Sequence, residues 1–91
     1  MIRQVIVVEN RLGLHARAAA KLVQLVSGFQ SEVYLSREGH DEAIDSRSIL
    51  GILMLAASRG TRLVLSIHGP DEAEAGDAIR LLFASRFGEE S

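Results

Sequence analysis

The apolar residues of this chain switch their spacing repeatedly along its length. In "IRQVIVV" (2–8) they are mostly β-branched, and Ile2, Ile6 and Val8 share one face of an extended segment. The stretch "ENRLG" breaks that pattern. The period then lengthens: Ala19, Leu22, Val23 and Val26 form one stripe of a helix predicted over 16–27, with Gly28 as its stop. "SEVYLS" (31–36) returns to strand, "REGHD" reads as a hairpin turn and "EAID" as a short third strand. A second helix is expected from near Ser48 to about Ala57, ended by "SRG" (58–60). "TRLVLSIH" (61–68) alternates, with Leu63, Leu65 and Ile67 on one face. A third helix follows "GPDEAEAGDAIRLLFASRF": Pro70 suits its first position and Asp71, Glu72 and Glu74 suit its positive end. Arg80 and Arg86 lie toward its negative end, and Ala75, Ala78, Ile79 and Leu82 give it an inward stripe. Gly76 costs that helix about 1 kcal/mol relative to alanine.

The order is therefore βαββαβα. Each strand has one apolar face and each helix one apolar stripe, so every element needs one partner layer. An α+β fold answers this: a four-stranded antiparallel sheet with three helices on one face and the other face toward solvent. The 91 residues contain no repeat or linker and are expected to form one domain over 1–91, with "GEES" (88–91) as a frayed tail. Only Phe29, Phe83, Phe87 and Tyr34 are aromatic, so the core must be mainly aliphatic.

Charge and composition remove several functions. A formal net charge of −2 opposes general nucleic-acid binding, which needs a basic face and, for single strands, surface aromatics. The absence of cysteine excludes disulfides, thiolate metal sites and thiol catalysis. No apolar run approaches the roughly 20 residues of a membrane span. "MIRQVIVVEN" lacks a signal-peptide pattern, so a cytoplasmic protein is expected. His40 and His68, in a turn and at a strand end, have no ligand spacing to His15, so no metal or cofactor is expected.

One segment stands apart: "NRLGLHARAAAKL" (10–22). It places His15 at the start of the first helix, where the N–H groups of Ala16 and Arg17 have no partner within the helix. Together with the helix dipole these donors form an anion site, and Arg17 adds a permanent forked cation. Imidazole, with an ordinary pKa of about 6.5, is largely neutral and nucleophilic near pH 7. A phosphoryl group attacked by His15 would find its charge matched there, which is most of what a protein contributes to this chemistry. Gly13 allows a tight approach of the preceding loop. The pattern H-x-R is short, and a solvated helix-capping histidine satisfies it too.

"NRLGLHARAAAKL" and "SRSILGILMLAASRGTRLVLSIHGPDEAEA" resemble, in order and over nearly the whole chain, the histidine-containing phosphocarrier protein (HPr) family of the bacterial phosphotransferase system, which includes a nitrogen-branch paralogue. The combination of LG-x-HAR with S-I-x-G at the second helix is specific. The resemblance implies an open-faced β-sandwich. It implies that His15 accepts a phosphoryl group on Nδ1 from phosphorylated Enzyme I, charged by phosphoenolpyruvate, and passes it to a IIA-type histidine. Arg17 would help hold the phosphate. The protein would be a carrier in sugar transport or the nitrogen-related branch, not a stand-alone enzyme, and a monomer.

The family usually reads H-A-R-P-A; here Ala18 replaces the proline, leaving nucleophile and cation unaltered. Ser48 aligns with the serine that an ATP-dependent HPr kinase/phosphorylase modifies in some branches, although serine there also serves as a plain N-cap, and Ser46 is an alternative cap. The 37–41 hairpin is longer than in the common sugar-system form. By the same resemblance Ile49, Leu50 and Leu53 form an exposed docking patch beside His15, with Ile52 and Leu55 turned inward and Arg11, Arg17 and Lys21 as a rim for acidic partners. The other readings are a regulatory HPr-like module acting on partner proteins, an acylphosphatase-like enzyme and a ligand-sensing module. The acylphosphatase reading wants an asparagine after its arginine loop, whereas Asn10, the only asparagine, precedes it. The ligand-sensing module leaves His15 and Arg17 without a role.

Overall fold

The structure, a computed structural model, describes residues 1–89. Its elements are β1 (Ile2–Val7), α1 (Ala16–Ser27), β2 (Glu32–Arg37), β3 (Ile44–Asp45), α2 (Ile49–Met54), β4 (Arg62–His68) and α3 (Glu72–Ala84), followed by a 3-10 turn, Arg86–Gly88. The strands form one antiparallel sheet in the order β1-β4-β2-β3. Ile6 lies opposite Leu63, Val33 opposite Ile67 and Leu35 opposite Leu65. Because side chains alternate, this register puts Ile6, Val33, Leu35, Leu63, Leu65 and Ile67 on one buried face. The other face carries Arg3, Val5, Tyr34, Val64 and Ser66 and is half-buried or exposed. The expected open-faced α+β sandwich is therefore the fold, with three helices covering one side of the sheet.

The helices close the buried face with stripes that match expectation only in part: in α1 Ala18 joins Ala19, Leu22 and Val26, and Val23 is only half-buried. α1 contributes Ala18, Ala19, Leu22 and Val26, and α2 contributes Ile52, with Leu55 just beyond its end. Burying a leucine, isoleucine or phenylalanine contributes roughly 1.5–3 kcal/mol each, so Leu22, Ile52, Ile79 and Phe83 are principal supports of the core.

The structure departs from expectation where tertiary contacts compete with local pattern. α2 ends at Met54 rather than near Ala57. Ala56 adopts a left-handed φ of 50°, and the carbonyl of Ala57 accepts the Leu14 N–H at 2.9 Å instead of continuing the helix. Pro70 precedes α3 by two residues, because the Asp71 carboxylate is committed to the loop before β2. It accepts from the Ser31 hydroxyl at 2.5 Å and from the Ser31 and Gln30 N–H groups. The Ser31 hydroxyl, followed by these amides, holds that carboxyl below the usual range. The α3 stripe is Ala75, Gly76, Ile79 and Phe83, with Ala78 and Leu82 only half-buried. Gly76 sits against Ile67, which offsets its weak helix propensity with close helix–sheet packing. The last turn of α3 has no basic residue: Arg86 falls in the 3-10 turn and Arg80 pairs with Asp77.

Candidate functional site

The loop between β1 and α1 is pinned before it reaches His15. Asn10 is fully buried; its Nδ2 donates to the Gly13 carbonyl at 2.7 Å, and the Gly13 N–H donates back to the Asn10 carbonyl at 3.1 Å. Gly13 has φ 68°, and a Cβ there would stand 2.5 Å from the Ala57 carbonyl oxygen. Only glycine meets both demands. The loop is thus clamped against the exit of α2, and the next residue but one is His15.

His15 is the N-cap of α1, with φ −75° and ψ 178°. Its carbonyl accepts the Ala19 N–H at 2.8 Å, the first helical bond. Its Nδ1 accepts the Arg17 N–H at 3.3 Å, and its Nε2 lies 2.6 Å from Glu89 Oε2. An amide can only donate, so Nδ1 presents a lone pair and Nε2 carries the proton shared with the carboxylate. The imidazole is about a quarter exposed, at 26%, so Nδ1 is held yet reachable.

Glu89 arrives from 74 residues away. Arg86, Phe87 and Gly88 all take positive φ, at 57°, 56° and 76°, and fold the chain back under the start of α1. Left-handed backbone costs non-glycine residues roughly 1–2 kcal/mol each. Burial of Phe87 offsets this: its ring packs edge-on to Phe83 with centroids 4.8 Å apart, and Lys21 Nζ donates to the Phe87 carbonyl at 2.6 Å. Glu89 Oε1 also accepts from Asn10 Nδ2 at 3.2 Å. The hydrogen bond to His15 holds the Glu89 carboxyl below its usual range, against the opposing effect of burial; Asn10 and the charges of His15 and Arg17 act in the same direction as the bond. Gly88 and Glu89 are therefore engaged with the body of the fold, contrary to the frayed tail expected over 88–91; residues 90 and 91 lie outside the described residues.

The other expected residues fall as follows. Ala16 and Arg17 are exposed at the first turn of α1, and among the described residues the Arg17 side chain has no ion-pair partner. Ala18 is fully buried within an unbroken helix. Ser48, not Ser46, caps α2, its Oγ accepting the Gly51 N–H at 3.0 Å; Ser46 is buried. Ile49, Leu50 and Leu53 are exposed at 42%, 69% and 37%, and Met54 and Leu12, which the sequence reading passed over, join them at 70% and 59%. A shallow hollow of about 250 Å³ beside His15 is lined by Leu12, Leu14, Ala56, Ala57 and Ser58. Arg11 is exposed, but Lys21 is half-buried and bound to Phe87, so it anchors the C-terminal turn instead of serving as a free rim cation. His40 and His68 are exposed, and among the described residues no three metal-ligating side chains cluster. No helix of the described residues is long and apolar enough to cross a membrane. Sequence reasoning missed Glu89 and the binding role of Asn10, since neither lies in a pattern that points to the other.

Known proteins resemble this chain over its length. Residues 2–85 match the family model described as PTS HPr component phosphorylation site. The phosphocarrier protein HPr of Cupriavidus necator is 49% identical over 89 residues, 98% of each chain. The phosphocarrier protein NPr of Escherichia coli is 38% identical over 98% of each chain. The crystal structure of HPr-C-His from Thermoanaerobacter tengcongensis superposes with a TM-score of 0.92 at 40% identity, covering both chains fully. With the sandwich fold and a histidine-capped first helix in place, the chain belongs to the HPr family of phosphocarrier proteins of the phosphotransferase system.

Proposed function

We propose that His15 receives a phosphoryl group on Nδ1 from the phosphohistidine of Enzyme I and delivers it to a histidine of a IIA-type protein. The observation that carries this reading is the ring's orientation: Nδ1 faces the N-terminus of α1 while Nε2 is occupied by Glu89. In the transfer the Nδ1 lone pair bonds phosphorus, and the donor's P–N bond breaks with its electron pair returning to the donor nitrogen. The transferred group carries negative charge toward the first-turn N–H groups of Ala16 and Arg17 and the Arg17 guanidinium, where dipole and cation favour it. The Arg17 N–H, bonded to Nδ1 in the free protein, turns to a phosphoryl oxygen as the lone pair is used. The protein is a carrier, with no turnover of its own. The exposed residues Ile49, Leu50, Leu53, Met54 and Leu12, with Arg11 at the edge, form the surface that both partners meet in turn.

The test is incubation with Enzyme I and labelled phosphoenolpyruvate. The expected product is an acid-labile, alkali-stable label that is absent from His15→Ala. A wild-type protein left unlabelled by an active donor would sink the reading. Ser48, exposed at a helix start, is proposed as the acceptor for an HPr kinase with ATP; label surviving Ser48→Ala would move that site elsewhere.

A further inference from the structure

We propose that Glu89 is a positioning residue for His15, its carboxylate holding the proton on Nε2 and countering the positive charge that the ring gains when Nδ1 bonds phosphorus. The inference rests on the carrier reading above and extends it to a residue outside the active-site segment. The Nε2–Oε2 distance of 2.6 Å is that of a charge-assisted bond, and the Glu89 side chain is only 13% exposed. Its second oxygen is held by Asn10, which also braces the loop in front of His15. The carboxylate is thus fixed from both sides before any phosphoryl group arrives. A chain that takes three successive left-handed residues and buries Phe87 in order to set one carboxylate under an imidazole has built a support, not a frayed end.

The electron count gives Glu89 its role. Before transfer the ring is neutral, with its proton on Nε2 and its lone pair on Nδ1. As Nδ1 forms its bond to phosphorus and the donor nitrogen takes back the electrons of the breaking bond, the ring becomes a cation with no proton having moved. An adjacent carboxylate gains attraction at that step, in the manner of the acidic member of a catalytic triad. When the phosphoryl group leaves for its acceptor, the pair returns to Nδ1 and the ring is neutral again.

The experiment compares wild type, Glu89→Gln and Glu89→Ala by two measurements. One is the rate of labelling by Enzyme I and phosphoenolpyruvate; the other is the imidazole ¹⁵N spectrum at a pH where His15 is neutral. Glu89→Ala is expected to label roughly tenfold more slowly, the size of one charge-assisted hydrogen bond, and to show an increased share of the Nδ1-protonated tautomer. Glu89→Gln retains an acceptor for Nε2 but no charge. It is expected to keep the wild-type tautomer and still label slowly, which mere support of the fold would not produce. Wild-type rates in both variants overturn the proposal and leave the carrier reading standing, as does a Glu89→Gln protein as fast as wild type. An unlabelled wild type overturns the carrier reading itself and this proposal with it.

Discussion

The starts of α1 and α2 are chemically alike and structurally unequal. Each is capped by a polar side chain that accepts an N–H from the first turn: His15 from Arg17 at 3.3 Å, Ser48 from Gly51 at 3.0 Å. The α1 cap heads 12 residues with four buried side chains, whereas α2 has six residues and buries only Ile52 within its span. His15 has a second partner, Glu89, delivered from the far end of the chain; Ser48 faces outward beside exposed apolar residues. The comparison teaches that a helix start alone makes a cap. A long helix behind it and a second fixed partner turn the cap into a ring held in one orientation, as the proposed nucleophile requires.

Four experiments bear on that comparison. The largest effect is expected from His15→Ala, which should abolish labelling by Enzyme I, while Ser48→Ala leaves it intact; equal loss in both would erase the distinction between the two helix starts. Gly13→Val is next. Its Cβ would meet the Ala57 carbonyl at 2.5 Å in a left-handed backbone, so a loss of roughly 2–3 kcal/mol is expected in denaturant unfolding, with slower labelling. Ser48→Ala should cost about 1 kcal/mol, the ordinary price of an N-cap, measured the same way.

The smallest effect concerns pH. The Glu89 carboxyl is held below its ordinary range, so near its titration the unfolded chain binds more protons than the folded one. Its contribution to stability is therefore complete above the unfolded value of about 4.3 and is lost as pH falls through the lower folded value. Unfolding curves of wild type and Glu89→Gln should differ above that range and converge as pH falls through it. A gap that widens in acid would show that the carboxylate is not held by His15 in its charged form.

The value of Glu89 also explains why half of the site was legible and half was not. His15 and Arg17 are neighbours in the chain, and the start of a helix can be read from the change of period that follows. Glu89 belongs with His15 only because Phe87 is buried against Phe83 and the backbone turns left-handed through three residues. No local rule predicts that conformation at Arg86 and Phe87, which lack glycine's freedom. Lys21 was misread for the same reason: an isolated lysine on a helix reads as surface charge, and its bond to the Phe87 carbonyl exists only once the C-terminal turn has docked.

What the sequence by itself determined is whatever depends on spacing along one element. The buried face at Leu63, Leu65 and Ile67, most of the α1 stripe and the inward Ile52 follow from periods of two or 3.6 residues, while the outward Leu50 follows from the resemblance to the HPr family. Tertiary structure alone decided the early end of α2 at Met54, the stripe of α3 centred on Gly76 and Phe83, and the carboxylate beneath His15. These were set by contacts through space, between residues whose separation in the chain carries no period, and where such a contact competes with local preference it prevails because burial and hydrogen bonding outweigh the fraction of a kilocalorie that a propensity supplies.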